Sequence, residues 1–208
     1  MRIITGIYKG RHFDIPRSFK ARPTTDFAKE NIFNVLTRYI DFEGISALDL
    51  FSGTGSISLE LVSRGCEHVV SVEMDRDHHR FIQECFRKLL GDHGDHGDRS
   101  MIARNERITR PVPVIAAPMI AIRGDVFRYI KSCKQQFDFI FADPPYALKE
   151  LPTIPGLIFE KGLLKDDGIL VFEHGKDNDF SSDPHFVEHR TYGSVNFSIF
   201  RKEATASL

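Results

Sequence analysis

The sequence predicts a doubly wound α/β sheet, mostly parallel, with one antiparallel strand from a C-terminal hairpin and a small β-hairpin and helix in front. Three observations carry this. From Ile45 onward, short apolar runs alternate with helical patterns. Several runs are apolar almost throughout, as in Phe137-Asp-Phe-Ile-Phe-Ala142, which suits strands covered on both faces. Two runs near the end, 186–192 and 194–202, meet around Gly193 and leave no room for a helix between them. That last pair places an antiparallel strand in the sheet and departs from the plain dinucleotide fold.

The elements follow in order. Residues 1–7 and 11–15 alternate in part around Tyr8-Lys9-Gly10, which reads as a small hairpin. Thr24-Thr25-Asp26 offers a cap with an acid in the first turn, and Ala28, Ile32, Val35, Leu36 and Tyr39 recur at helical spacing, so a helix is expected over 25–40. Strands are expected at 46–51, 68–73, 114–123, 137–142 and 168–174, with helices at 56–64, 77–90, 126–134 and about 151–160. This divides the chain into an N-terminal extension, 1–40, and a main domain, 41–208. A Gly-Asp-His repeat begins at Gly91, and its polar stretch runs to about Pro113. His93 and His96 there could be imagined as metal ligands, but the repeat reads as a surface-loop insertion.

Composition bounds the function. At 208 residues, 41% hydrophobic and 27% charged, the chain is expected to form one well-buried domain with a short appendage. No stretch reaches the roughly 20 apolar residues that span a bilayer, and the first residues show no leader pattern. Cys66, Cys85 and Cys133 form no CxxC pair, which argues against a disulfide framework and for a reducing cytoplasm. The net charge of −1 hides an uneven distribution. Arg2, Lys9, Arg11, Arg17, Lys20 and Arg22 face a single acid, Asp14, in the first 22 residues. Such a cluster is either a solvated face or a phosphate-contacting arm.

Four constellations carry chemistry. In Ala47-Leu-Asp-Leu-Phe-Ser-Gly-Thr-Gly-Ser-Ile-Ser58, a strand enters a glycine turn and then a helix. A nicotinamide fingerprint needs glycine where Ser58 stands, and the Asp49 carboxylate suits a cationic amino-acid moiety better than a pyrophosphate. Glu73 ends the next strand, where an acid can accept from both hydroxyls of a ribose. Asp125 follows a further strand and could accept from an adenine amino group, with Met74 and Val126 sandwiching the ring. Asp143-Pro-Pro-Tyr146 is the most specific signal. Two prolines fix the backbone so that the Asp143 carboxylate and the Pro144 carbonyl face one point, matching the two donors of an amino group. Tyr146 adds a flat face on which a base can stack.

These pieces, in this order, resemble the class I S-adenosylmethionine-dependent methyltransferases with an Asp-Pro-Pro-Tyr-type motif. Met1-Arg-Ile-Ile-Thr-Gly-Ile-Tyr-Lys-Gly-Arg11, Arg22-Pro-Thr-Thr-Asp26 with Glu30 and Phe33-Asn34, Leu48-Asp-Leu-Phe-Ser-Gly-Thr-Gly55 and Val72-Glu-Met-Asp75 together resemble the RsmD family. The resemblance implies a Rossmann-like methyltransferase sheet, and transfer of a methyl group from S-adenosylmethionine to guanine N2 in 16S ribosomal RNA. S-adenosylhomocysteine is the implied product, with no metal. Asp49, Phe51, Gly53, Thr54, Gly55, Glu73, Met74, Asp125 and Val126 would hold the cofactor. Asp143, Pro144 and Tyr146 would hold the guanine, and Arg2, Lys9, Arg11, Arg22, Thr24, Thr25 and Pro145 would meet the RNA. A monomer acting in the cytoplasm on ribosomal RNA or a small-subunit particle, without a membrane, fits this reading. The runner-up is an adenine-N6 DNA methyltransferase, for which the proline motif is equally suitable but which would need room for a recognition domain. A non-catalytic RNA-binding or assembly factor is the third reading, and the intact chemical positions argue against it.

Overall fold

A computed structural model describes residues 1–19, 25–91 and 119–204. The Gly-Asp-His repeat, the expected insertion, Arg22, Thr24 and the first part of the strand expected over 114–123 lie outside the described residues. In chain order the elements are α1 (Asp26–Leu36), β1 (Ser46–Leu50), α2 (Ser56–Ser63), β2 (His68–Glu73), α3 (Arg76–Gly91), β3 (Met119–Arg123), α4 (Val126–Ser132) and β4 (Phe137–Ala142). They continue with a 3-10 turn (Leu151–Thr153), α5 (Ile154–Glu160), β5 (Leu164–His174), β6 (Phe186–Tyr192) and β7 (Val195–Arg201). Among the described residues no helix is long and apolar enough to cross a membrane.

The strands form one sheet in the order β3-β2-β1-β4-β5-β7-β6. β1, β2, β3, β4 and β5 pair in parallel, while β7 runs antiparallel to both β5 and β6. This is the doubly wound, mostly parallel sheet that the alternation predicts, with its reversed strand supplied by the C-terminal hairpin. Because alternate side chains leave a strand on opposite faces, β4 feeds two cores. Phe139 and Phe141 pack with Ile32, Phe33, Leu59 and Ile82 of α1, α2 and α3. Ile140 packs on the other side with Ile130 and Ile158 of α4 and α5. Burial on both faces is why these strands read as apolar runs.

Three expectations need correction. The N-terminal hairpin shrinks to a single bridge, Arg2 to His12, flanked by Ile3 N–H to the Arg11 carbonyl at 3.0 Å and Phe13 N–H to the Met1 carbonyl at 2.9 Å. Gly10 N–H still donates to the Ile3 carbonyl at 2.9 Å, and beyond Ile3, α2 claims the next donors. Ile4 and Thr5 donate to the Glu60 carboxylate at 2.7 and 3.0 Å, and Ile7 donates to the Ser63 carbonyl at 2.8 Å. The helix expected over 151–160 splits into a 3-10 turn and α5, since Pro152 and Pro155 each lack the N–H that an unbroken helix needs. Thr25 caps α1 as expected, accepting from Ala28 N–H at 3.1 Å, but α1 stops at Leu36, where the Thr37 hydroxyl bonds back to the Asn34 carbonyl.

One side chain ties the extension to the sheet domain. Lys29 of α1 is fully buried, and its ammonium donates to the Arg2 carbonyl at 2.6 Å and to Ser56 Oγ at 2.9 Å. The Glu60 carboxylate lies 3.9 Å away. Burial pulls the Lys29 ammonium below its ordinary pKa, and the charges of Glu60 and Asp26 oppose that shift.

Candidate active site

A cleft of about 890 Å³ opens at the C-terminal ends of the parallel strands, where doubly wound sheets bind their ligands. β1 delivers Asp49 there and then turns sharply. Phe51 adopts φ 59°, a conformation that costs a bulky residue energy, and Gly53 and Gly55 follow at 54° and 74°. A Cβ on Gly53 would meet only the Phe51 carbonyl oxygen at 3.9 Å, so this backbone is open to the cleft. Gly55 is different. A Cβ there would sit 2.9 Å from Ile82 Cγ1, so this glycine lets α3 pack close and does not itself line the cleft.

Glu73, at the end of β2, grips the glycine turn. One carboxylate oxygen accepts from Gly53 N–H at 2.8 Å and the other from Asp75 N–H at 2.7 Å. Each oxygen keeps a second lone pair, so a fixed acceptor faces the cleft for a hydroxyl. Asp49 is buried, and its Oδ2 accepts from the N–H and hydroxyl of Ser58, at 3.0 and 2.5 Å. Burial pushes its carboxyl up to about 7, the Ser58 bonds pull it back, and the Glu73 charge adds to the rise. Ser58, which marks the departure from a nicotinamide fingerprint, is thus the residue that fixes Asp49. Asp125 caps α4, accepting from Arg128 N–H at 2.9 Å, and lines the cleft beside Val126. Met74 is exposed on the same wall.

The opposite wall is the proline motif. Asp143 follows β4, its N–H on the Leu50 carbonyl at 3.3 Å. Pro144 is buried, while Pro145 and Tyr146 are exposed. The Tyr146 hydroxyl donates to Glu173 Oε1 at 2.9 Å. Glu173 is buried near the end of β5, and sequence reasoning missed it. The available signal was a lone acid ending an apolar strand, the same signal that marks Asp49 and Glu73. Burial, the Glu173 carboxylate and the Asp49 carboxylate together hold the Asp143 carboxyl well above the usual carboxylate range. Glu173 also raises the Tyr146 phenol, though burial is the larger cause.

Asp49, Glu73, Asp75, Asp125, Asp143 and Glu173 therefore share one cleft, and no lysine or arginine is among its described lining residues. Of the residues expected to meet RNA, Thr25 and Pro145 line the cleft. Arg2 is exposed and reaches Asp26 at 3.4 Å, next to Thr25. Lys9 is exposed but does not line the cleft, and Arg11 lines a second, smaller cavity against α3.

Comparison with known proteins identifies the family. The profile of the family described as "Conserved hypothetical protein 95" matches residues 1–106 and 99–201. A Bacillus subtilis protein named "Putative rRNA methyltransferase YlbH" is 32% identical over 206 residues, covering 97% of this chain and 99% of that protein. The Escherichia coli "Ribosomal RNA small subunit methyltransferase D" is 26% identical over 207 residues, covering 98% and 91%. A solved structure of a hypothetical protein from Thermus thermophilus superposes with a TM-score of 0.72 at 25% identity, covering 98% of this chain and 99% of that one. The chain belongs to the conserved hypothetical protein 95 family, the RsmD family that its motifs resemble.

Proposed function

We propose that this protein transfers a methyl group from S-adenosylmethionine to the exocyclic N2 of a guanine in small-subunit ribosomal RNA, leaving S-adenosylhomocysteine. The acidity of the cleft carries the reading. Six carboxyl groups without a lysine or arginine among the described lining residues repel a pyrophosphate but suit a sulfonium and an ammonium group. Asp49 would face the ammonium end, Glu73 the ribose, and Asp125, Met74 and Val126 the adenine, with Phe51 and the turn residues Gly53 and Thr54 alongside and Gly55 setting the turn. When bound, the cofactor supplies an activated methyl group.

The chain's own residues then supply position and charge. Asp143 and the Pro144 carbonyl accept from the target amine, which favours its pyramidal form and turns its lone pair toward the cofactor. Asp143 stabilises the cationic amine and takes the proton that the methylated nitrogen sheds. Tyr146 offers a stacking face to the base, which must be unpaired or flipped out to reach it. The names of the relatives support ribosomal RNA as substrate. Arg2, Lys9, Arg11, Arg22, Thr24, Thr25 and Pro145 would carry the RNA contacts, with residues 1–40 as the extension that covers the cofactor's methionine end or meets the RNA. The protein would act as a monomer in the cytoplasm, on ribosomal RNA or a small-subunit particle. Mass spectrometry of ribosomal RNA nucleosides tests the reaction: deleting the gene should remove one N2-methylguanosine, and this chain should restore it.

Calorimetry tests the cofactor site. Glu73→Ala should weaken S-adenosylmethionine binding about ten- to hundredfold, the worth of charge-assisted hydrogen bonds. Unchanged affinity in the folded variant would remove Glu73 from the site. Asp49 gives the binding a pH dependence. Its carboxyl titrates near 7 and the ionised form attracts the ammonium, so binding must first remove a proton below that pH. Affinity should therefore rise from pH 6 to 7.5, by at most about tenfold per pH unit, and Asp49→Asn should flatten the rise.

A further inference from the structure

We propose that Phe27, backed by Tyr192, is the stacking platform for a base next to the target guanine; this rests on the ribosomal RNA reading above. Helix α1 buries Ala28, Ile32, Phe33 and Leu36 completely. Its outer face carries Phe27, Glu30, Asn31 and Asn34, so Phe27 is the one apolar side chain there. The ring is 65% exposed and belongs to neither core. A helix face turned to water favours polar residues, so the packing of α1 does not account for a phenyl group at this position.

Its place is the rim of the cleft. Thr25, two residues earlier, lines the cleft, as do Ser194 and Val195 where β6 returns into β7. Phe27 packs edge-to-face on Tyr192, with centroids 6.3 Å apart and planes at 88°, and Tyr192 is the register partner of Val195. The Tyr192 hydroxyl donates to the Asn31 carbonyl at 3.5 Å, and Asn31 Nδ2 donates to the Phe27 carbonyl at 2.8 Å. These bonds tie the first turns of α1 to the hairpin, so the ring is held in place before anything stacks on it. A guanine that enters the cleft against Tyr146 leaves its own stack, and the base beside it loses a partner. An open ring at the rim replaces that partner. The six cleft acids also favour a contact through a base face, since they repel the phosphates that would otherwise follow the guanine inward.

The experiment compares wild type with Phe27→Ala, Phe27→Leu and Phe27→Tyr on small ribosomal subunits from the deletion strain and on the RNA extracted from them. Kinetics are read on whichever of the two is methylated, and filter binding of the RNA is measured beside them. Phe27→Ala should raise KM for the RNA and weaken its binding about five- to a hundredfold, the range for one base stacked on an aromatic ring. At saturating RNA, kcat should stay within about threefold of wild type, because the ring does not touch the reacting atoms. Phe27→Leu keeps apolar bulk without a flat face and should behave like alanine, whereas Phe27→Tyr should restore KM to within about threefold of wild type. Affinity for S-adenosylmethionine should be the same in all four proteins, which reports folding. An unchanged KM in Phe27→Ala overturns the assignment, as does a leucine variant equal to wild type or a loss confined to kcat. If the wild-type protein forms no N2-methylguanosine, the guanine-N2 reading fails, and the binding series alone decides for or against the platform. A wild-type protein that neither methylates nor binds the RNA ends both.

Discussion

Asp143→Ala is expected to cut turnover about 10²–10³-fold, the usual loss when one preorganised polar partner is removed from a reacting centre. Cofactor affinity should change far less than turnover, because the residues proposed to hold the cofactor sit on β1 and its glycine turn, at the end of β2 and at the start of α4. The fold should tolerate the change. Asp143 is one of three crowded acids, with Asp49 and Glu173, and its burial disfavours the charged form. Asp143→Asn separates shape from charge: its carbonyl still accepts one N–H, but the negative charge facing the cationic amine is gone. It should fall between alanine and wild type. Single-turnover methyl transfer to the ribosomal RNA substrate, beside calorimetry with S-adenosylmethionine, gives both quantities. A folded Asp143→Ala protein with near wild-type turnover would reduce the proline motif to a rigid turn.

The largest stability loss is expected at Glu60, far from the chemistry. This fully buried carboxylate accepts from the backbone of Ile4 and Thr5, from Arg64 Nε at 3.0 Å, and faces the buried Lys29 ammonium. Glu60→Ala takes this acceptor from Ile4 N–H, Thr5 N–H and Arg64 Nε and removes the buried counter-charge facing Lys29, which keeps its bonds to Arg2 and Ser56. Breaking a buried ion pair from one side costs about 3–5 kcal/mol. For a chain of this length that is roughly 10 °C in Tm. Glu60→Gln, which keeps one acceptor and the side-chain volume, should lose less. Thermal denaturation of the three proteins side by side is the measurement, and a Glu60→Ala Tm within about 2 °C of wild type would contradict the account.

What the sequence made legible follows from the range of the forces involved. Strands buried on both faces announce themselves as apolar runs, and a tight turn needs its glycines, so β1, the glycine turn, β2 and β4 could be read locally. The proline motif was equally plain, because prolines constrain the backbone wherever they occur. The errors arose from contacts between segments distant in the chain. The N-terminal hairpin was overdrawn since its donors bond to Glu60 and Ser63, more than fifty positions away. Gly55 looked like a cofactor glycine, yet the atom that forbids its Cβ belongs to Ile82 of α3. Glu173 went unnoticed because its meaning depends on a neighbour strand that brings Asp143 alongside.

The reversed strand β7 also decides what size of object can approach the site. In a fully parallel sheet, a helix and its loops would return the chain beside the cleft and wall that side. Here β6 ends at Tyr192 and β7 starts at Val195, so only Gly193 and Ser194 make the return. Ser194 and Val195 form part of the cleft wall. Among the described residues, that flank of the entrance is therefore this two-residue turn beside the start of α1, where Phe27 packs against Tyr192, a lower border than a full crossover helix would make. A small metabolite gains nothing from such an opening, whereas a bulky folded polymer needs clearance around the one residue it inserts.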